Sequence, residues 1–197
     1  MDVPIKHVIG TIALIGLVIA VGLSYSIITS YMEAEVIKKQ LEQISEHVAL
    51  NLVEIVSLVN FANFVKDRPM MKILDLPSDL GGKAYIIKLV KVEGTNQIKG
   101  HYVQAQLATR EDVYARSSLP LNATQSQIVL ITDTTGKLPV TGEDKIIEYS
   151  GSVYGGTQEI RDNTGLVVEQ RYVVVWGLKV NATLTLAGIG VWKLEGG

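Results

Sequence analysis

Val8-Ile9-Gly10-Thr11-Ile12-Ala13-Leu14-Ile15-Gly16-Leu17-Val18-Ile19-Ala20-Val21-Gly22-Leu23-Ser24-Tyr25 decides how this chain is read, because no charged side chain lies between His7 and Glu33. A helix of about 25 residues, rising 1.5 Å per residue, is long enough to cross a hydrocarbon core of about 30 Å. The run is too long for a secretory h-region of about 7–15 residues, and no small-x-small cleavage site follows it. The stretch is therefore expected to be a single membrane span, beginning near Pro4, which suits an opening helical turn. Its small residues, Gly10, Ala13, Gly16, Ala20 and Ser24, fall on one stripe, and Gly16 and Ala20 form a small-xxx-small pair. Such a stripe lets a second helix approach closely in lipid.

Beyond Tyr31 the helical pattern continues without a break but changes character. Ile37, Leu41, Ile44, Val48, Leu52, Ile55, Val59 and Ala62 recur at steps of three and four, the mark of an amphipathic helix. Lys38, Lys39, Glu42, Gln43, Glu46 and His47 take the other faces. From Ala49 onward the apolar stripe widens to include Leu50, Val53, Val56 and Leu58. Two accounts fit that width: the distal half packs on its own globular domain and also meets a neighbour, or the domain alone covers it. The helix is expected to end at Asp67-Arg68-Pro69, where proline disfavours continuation.

A turn-rich connector follows at 69–83, and from Ala84 the pattern shortens to β-type runs. Strands are expected at 84–92, 101–108, 127–132, 145–149, 166–180 and 182–193, separated by turn signals such as Asp133-Thr134-Thr135-Gly136 and Asp162-Asn163-Thr164-Gly165. Tyr172-Val173-Val174-Val175-Trp176 is apolar on both faces and reads as a central strand. The apolar part of 182–192 is too short for a second span. The expected fold is α+β: a long helix, transmembrane and then amphipathic, followed by an antiparallel β-sandwich. The expected divisions are a membrane helix at 1–32, an amphipathic extension at 33–68, the connector at 69–83 and an exported β domain at 84–197.

Composition narrows the function. A formal charge of −2 gives no basic surface for nucleic acid. The absence of cysteine excludes disulfides and thiolate metal sites, and with abundant Val, Ile, Leu, Glu and Lys it suits a heat-adapted host. His7, His47 and His101 have no metal-ligand spacing, and no phosphate loop, nucleophile elbow or paired-carboxylate motif occurs. Asp133, Glu143 and Asp144 flank one long loop and have the chemistry for calcium, but loop acids are ordinarily just solvated. No catalytic residue, cofactor or metal is expected, and the chain is not read as an enzyme. The tripeptides Asn122-Ala123-Thr124 and Asn181-Ala182-Thr183 are glycosylation sequons at strand boundaries. Lys6 and the amino terminus precede the span, while Glu33 and Glu35 follow it, which favours a short cytoplasmic amino end and an exported carboxyl domain.

A membrane helix running into an amphipathic helix and then a β domain resembles the type IV pilin-like proteins. Val8-Ile9-Gly10-Thr11-Ile12-Ala13-Leu14-Ile15 is similar to the amino-terminal segment of archaeal pilin and archaellum-type proteins. Leu76-Pro77-Ser78-Asp79-Leu80-Gly81-Gly82-Lys83-Ala84-Tyr85-Ile86-Ile87 looks like the entry to the first strand in membrane-anchored members of that group. The resemblance covers roughly the first ninety residues. It implies a surface filament subunit, a minor pilin or an anchored accessory protein, with lipid and other pilin-like subunits as partners of the helix. In such filaments the helices bundle and the β domains face solvent. One departure matters: family subunits carry a basic residue directly before the processed glycine, whereas Val8 and Ile9 separate Lys6-His7 from Gly10. This moves weight from major subunit to minor pilin or anchored accessory. The competing reading is a single-span adhesin or receptor whose sandwich contacts an envelope or S-layer surface, with the seam from Ile37 to Ala62 as a coiled-coil stalk.

Overall fold

The computed structural model describes residues 3–61, 69–93, 99–121, 127–140, 145–161, 163–164 and 166–195. One helix, α1 (Val3–Phe61), precedes eleven strands, and the α+β class is as expected. The chain divides into two compact units, Met1–Ile37 and Lys38–Gly197, a partition that cuts α1 a few residues beyond the end of the charge-free run.

The strands are β1 (Met70–Ile73), β2 (Tyr85–Glu93), β3 (Lys99–Leu107), β4 (Tyr114–Leu119), β5 (Gln127–Leu130), β6 (Gly136–Val140), β7 (Lys145–Tyr149), β8 (Ser152–Tyr154), β9 (Gln158–Arg161), β10 (Val167–Asn181) and β11 (Leu184–Glu195). They make two sheets. The larger has seven strands with the path β1-β10-β11-β7-β6, while β9 joins β10 and β5 joins β11. The smaller runs β4-β3-β2-β8. All pairings are antiparallel except β5 with β11, which run parallel. The long hairpin β10–β11 is the spine: β1 and β9 share one flank of β10, at residues 174–177 and 167–171. β5 and β7 share the outer flank of β11.

Val173, Val174, Val175 and Trp176 are buried, as a central apolar strand requires. Even-numbered residues of β10 join Ile147 and Trp192 in one cluster. The Trp176 ring lies 5.3 Å from that of Tyr149, and its Nε1 donates to the Ile189 carbonyl at 3.2 Å. The odd-numbered face meets α1. A Cβ on Gly177 would stand 3.0 Å from Ile55 Cγ2 and 3.1 Å from Val59 Cγ2, so the absent side chain lets the helix sit close to the sheet. Thr185 Oγ1 donates to Asn60 Oδ1 at 2.7 Å, and Lys72 pairs with Glu54 at 2.7 Å along the same contact. In the smaller sheet the odd residues Tyr85, Ile87 and Leu89 are buried beside Val103, Ala105 and Leu107.

Five strands were not expected from the sequence: β8 and β9, both short, and three more. The connector contains β1, which pairs Met70–Ile73 with Gly177–Val174. The segment after the 133–136 turn signal forms β6, with Pro139 on the outermost strand, where a missing N–H is tolerated. The polar run Tyr114–Leu119 forms β4, an edge strand whose Arg116, Ser117 and Ser118 mask its β character.

Candidate functional site

In the amino-terminal unit, every described side chain from Val8 to Glu33 is exposed. The most apolar 18-residue window of α1 has a mean hydropathy of 2.3 and is 0% buried within the chain, so α1 carries a candidate membrane anchor. Three hydroxyls in this part are satisfied inside the helix. Ser24 Oγ donates to the Ala20 carbonyl at 2.8 Å, Thr29 Oγ1 to Tyr25 at 2.9 Å and Ser30 Oγ to Ser26 at 2.9 Å. Back-bonding of this kind keeps these three donors from being stranded in hydrocarbon. A Cβ added at Gly10, Gly16 or Gly22 would meet nothing within 4 Å, so this chain's own packing gives these glycines no reason to be glycine. Ala13 and Ala20 are exposed on the same stripe as Gly10 and Gly16.

In the second unit the structure gives the amphipathic residues a different place. Leu41, Val48 and Leu52 are fully buried, and Ile44, Ile55 and Val59 are nearly so. Ile55 and Val59 face Gly177 of β10. Ile37, the last residue of the amino-terminal unit, is buried too. Of the residues that widen the stripe, Val56 is buried and Val53 half-buried, but Leu50 stays 64% exposed and Leu58 46%. The domain therefore covers only part of the wide stripe.

The other sequence candidates are scattered. Asn181 is exposed at the β10–β11 turn; its Oδ1 accepts from Thr183 N at 2.9 Å and Thr183 Oγ1 at 3.0 Å. Asn122, Glu143 and Asp144 lie outside the described residues, as does the His7 side chain. Asp133 is exposed and accepts from Thr132 Oγ1 at 2.8 Å. Among the described residues no group of three His, Asp or Glu side chains stands close enough to hold a metal ion. Burial, aided by the charge of Lys91, lowers the pKa of His101. The Tyr85 hydroxyl, donating to the Pro77 carbonyl at 2.7 Å, is pushed well above its ordinary range by burial and by Asp79. Both shifts favour the neutral form of the side chain.

Sequence reading passed over a cleft of about 460 Å³ in the β unit, lined by Glu148, Arg171, Val173, Val191 and Lys193 among others. Its charges are ordered. Glu148 accepts from Lys193 at 2.7 Å and pairs with Lys137 at 3.2 Å. The Lys193 bond, with help from Lys137, draws the Glu148 carboxyl below its ordinary pKa. Arg171 Nε donates to Glu169 at 2.6 Å. These residues come from separate strands, so only the sheet register brings them together. No family model, curated protein or solved structure matches this chain.

Proposed function

We propose that this protein is a pilin-like structural component of a cell surface, assembling with copies of itself or with similar subunits through α1 while the β unit stands outside the membrane. The observation that carries this reading is the glycine-bearing stripe. Glycine in a helix interior costs about 1 kcal/mol relative to alanine, and no contact within the chain calls for the two glycines of that stripe, Gly10 and Gly16. Close approach of another helix supplies the reason. The partly exposed apolar side chains Leu50 and Leu58 extend the surface available to neighbours along the distal part of α1. The Lys6-His7-Val8-Ile9-Gly10 sequence, without a basic residue next to the glycine, favours an anchored accessory or minor subunit over the main filament protein.

The test compares full-length protein with Gly16→Leu, both purified in detergent, by sedimentation and electron microscopy. Wild type is expected to form helix-dependent oligomers or to co-assemble with filaments. The variant is expected to lose them while keeping the β-unit circular dichroism. Assembly of Gly16→Leu at the wild-type level would remove the basis of the proposal.

A further inference from the structure

Strand register builds a binding surface from residues far apart in sequence. Arg171 on β10 lies opposite Gln158 on β9 and Lys193 on β11. Directly opposed residues in antiparallel strands share a face, so an amide, a guanidinium and an ammonium stand in one row. The next row on that face is Val173 opposite Val191, with Glu148 opposite Val191 and Lys137 opposite Glu148. All seven line the cleft of about 460 Å³. A row of donors thus borders a small apolar floor, and the wall is completed by Ser150, Ser152 and Tyr154.

The donors have capacity to spare. Arg171 uses Nε on Glu169, and its terminal nitrogens make no hydrogen bond to another described residue. The Gln158 side-chain amide makes none either, among the described residues. A second cavity of about 390 Å³ continues from the first, sharing Thr135, Ser150 and Ser152 and adding Lys88, Lys91 and Asp133. Setting Lys91 aside, the linings hold Lys88, Lys137, Arg171 and Lys193 against Glu148, Asp133 and Glu169, the partner of Arg171, which leaves an excess of one positive charge among the described residues. The whole chain has a formal charge of −2. The positive excess is therefore local.

From this juxtaposition we propose that the β9-β10-β11 cleft binds an acidic polysaccharide, with one uronate carboxylate on Arg171 and Lys193 and the sugar's C–H face on Val173 and Val191. Each part of such a ligand has its counterpart. A guanidinium with two free terminal nitrogens suits a planar carboxylate. Hydroxyls of serine, threonine and tyrosine suit a polyol, and an aliphatic floor suits the less polar face of a pyranose. The run of two joined cavities suits a chain of sugars rather than a single anion. This gives a ligand class to the anchored-module alternative and holds whether or not α1 assembles into a filament.

The test uses the full-length protein in detergent micelles, with trigalacturonate as the probe and calorimetry as the readout. Maltotriose, inorganic phosphate and a short single-stranded DNA are the comparison ligands. Trigalacturonate is expected to bind saturably, at least about tenfold more tightly than any of them, and Arg171→Gln and Lys193→Gln are each expected to weaken it by about tenfold or more. Lys72→Gln, which removes a cation elsewhere, is expected to leave binding unchanged. If Arg171→Gln does not fold, Gln158→Ala on the exposed strand β9 serves instead and is expected to weaken binding severalfold. No saturable binding, equal binding of maltotriose, phosphate or DNA, or full affinity in folded cleft variants would each overturn the proposal. Loss of oligomers in Gly16→Leu with trigalacturonate binding intact would separate this site from the assembly helix.

Discussion

Leu50 and Leu52 stand two residues apart on α1 and test how the helix divides its faces. Leu52 is 0% exposed in the core, whereas Leu50 is 64% exposed. Truncating Leu52 to alanine removes buried methyl groups and leaves a cavity beneath the sheets, a loss of about 3 kcal/mol within a usual range of about 2–5. For a chain of this size, each kcal/mol moves the midpoint by about 2–4 °C, so Leu52→Ala should lower Tm by roughly 6–12 °C. Leu50→Ala loses only about a third of a full burial term of roughly 2 kcal/mol, and alanine's better helix propensity offsets part of that. Its expected cost is about 0.5 kcal/mol or less, with Tm shifted by no more than about 2 °C. The assay is thermal unfolding of the full-length protein in detergent, followed by the fluorescence of Trp176 and Trp192. Equal shifts for the two variants, or a larger one for Leu50→Ala, would refute the assignment of the inner and outer faces. If Leu50→Ala keeps its Tm but weakens oligomers, the exposed leucine belongs to an assembly contact.

The Trp176 packing and the Glu148 ion pairs give two further expectations. A Cβ on Gly188 would lie 2.9 Å from Trp176 Cζ2 and 3.1 Å from Cε2, and the ring is only 1% exposed. Gly188→Ala should therefore cost about 1–3 kcal/mol by overpacking, read as a lowered midpoint in denaturant; a neutral result would mean that the indole has room to move. Glu148, held below its ordinary pKa first by the hydrogen bond from Lys193 and then by Lys137, favours the folded state when ionised. That contribution is present above the unfolded carboxyl value, about 4.3, and is lost as pH falls through the lower folded value. His101 has the same sign at higher pH: its depressed pKa means that the unfolded chain takes up the proton first, so stability begins to fall below about pH 6.5. Glu148→Gln should flatten the acid limb of a stability–pH curve and leave the His101 limb in place. A curve unchanged by the substitution would show that the ion pairs are screened away, as exposure of Lys137 makes plausible for its share.

The elements legible in sequence were those whose apolar pattern is local. The charge-free run, the three-and-four spacing from Ile37 to Val59 and the all-apolar Tyr172–Trp176 each display their environment in a short window. β7 was readable to the residue, and β2, β3, β10 and β11 to within two residues at either end. The strands that escaped reading obtain their pattern from the sheet. β9 is exposed along all four residues and exists because β10 offers it a partner. β6 contains Pro139, which reads as a breaker until its edge position is known. The cleft was hidden for the same reason: Gln158, Arg171 and Lys193 are unremarkable surface residues singly, and become a row only through the registers of two strand pairs. No periodicity in the chain encodes that row.

The helix makes the opposite case, since its sequence states a surface that its own fold leaves without a partner. Large apolar side chains from Val8 to Met32 are about half to four-fifths exposed, far more apolar area than the few hundred Å² that a monomer in water normally leaves uncovered. Such a surface suits the candidate membrane anchor. Lipid alone would suit leucine at every position equally well, because lipid chains have no preference for a missing side chain. Gly10 and Gly16, on the small-residue stripe, weaken the helix by about 1 kcal/mol each on the scale measured in water, and the chain gains no internal contact from them. A surface that is both apolar and locally hollow fits other helices better than it fits lipid. The hydroxyls of Ser24, Thr29 and Ser30 are already turned back onto their own backbone, so under the proposed assembly these three favour close packing over hydrogen bonds between helices. Under that proposal shape, not polarity, is what selects the partner of α1.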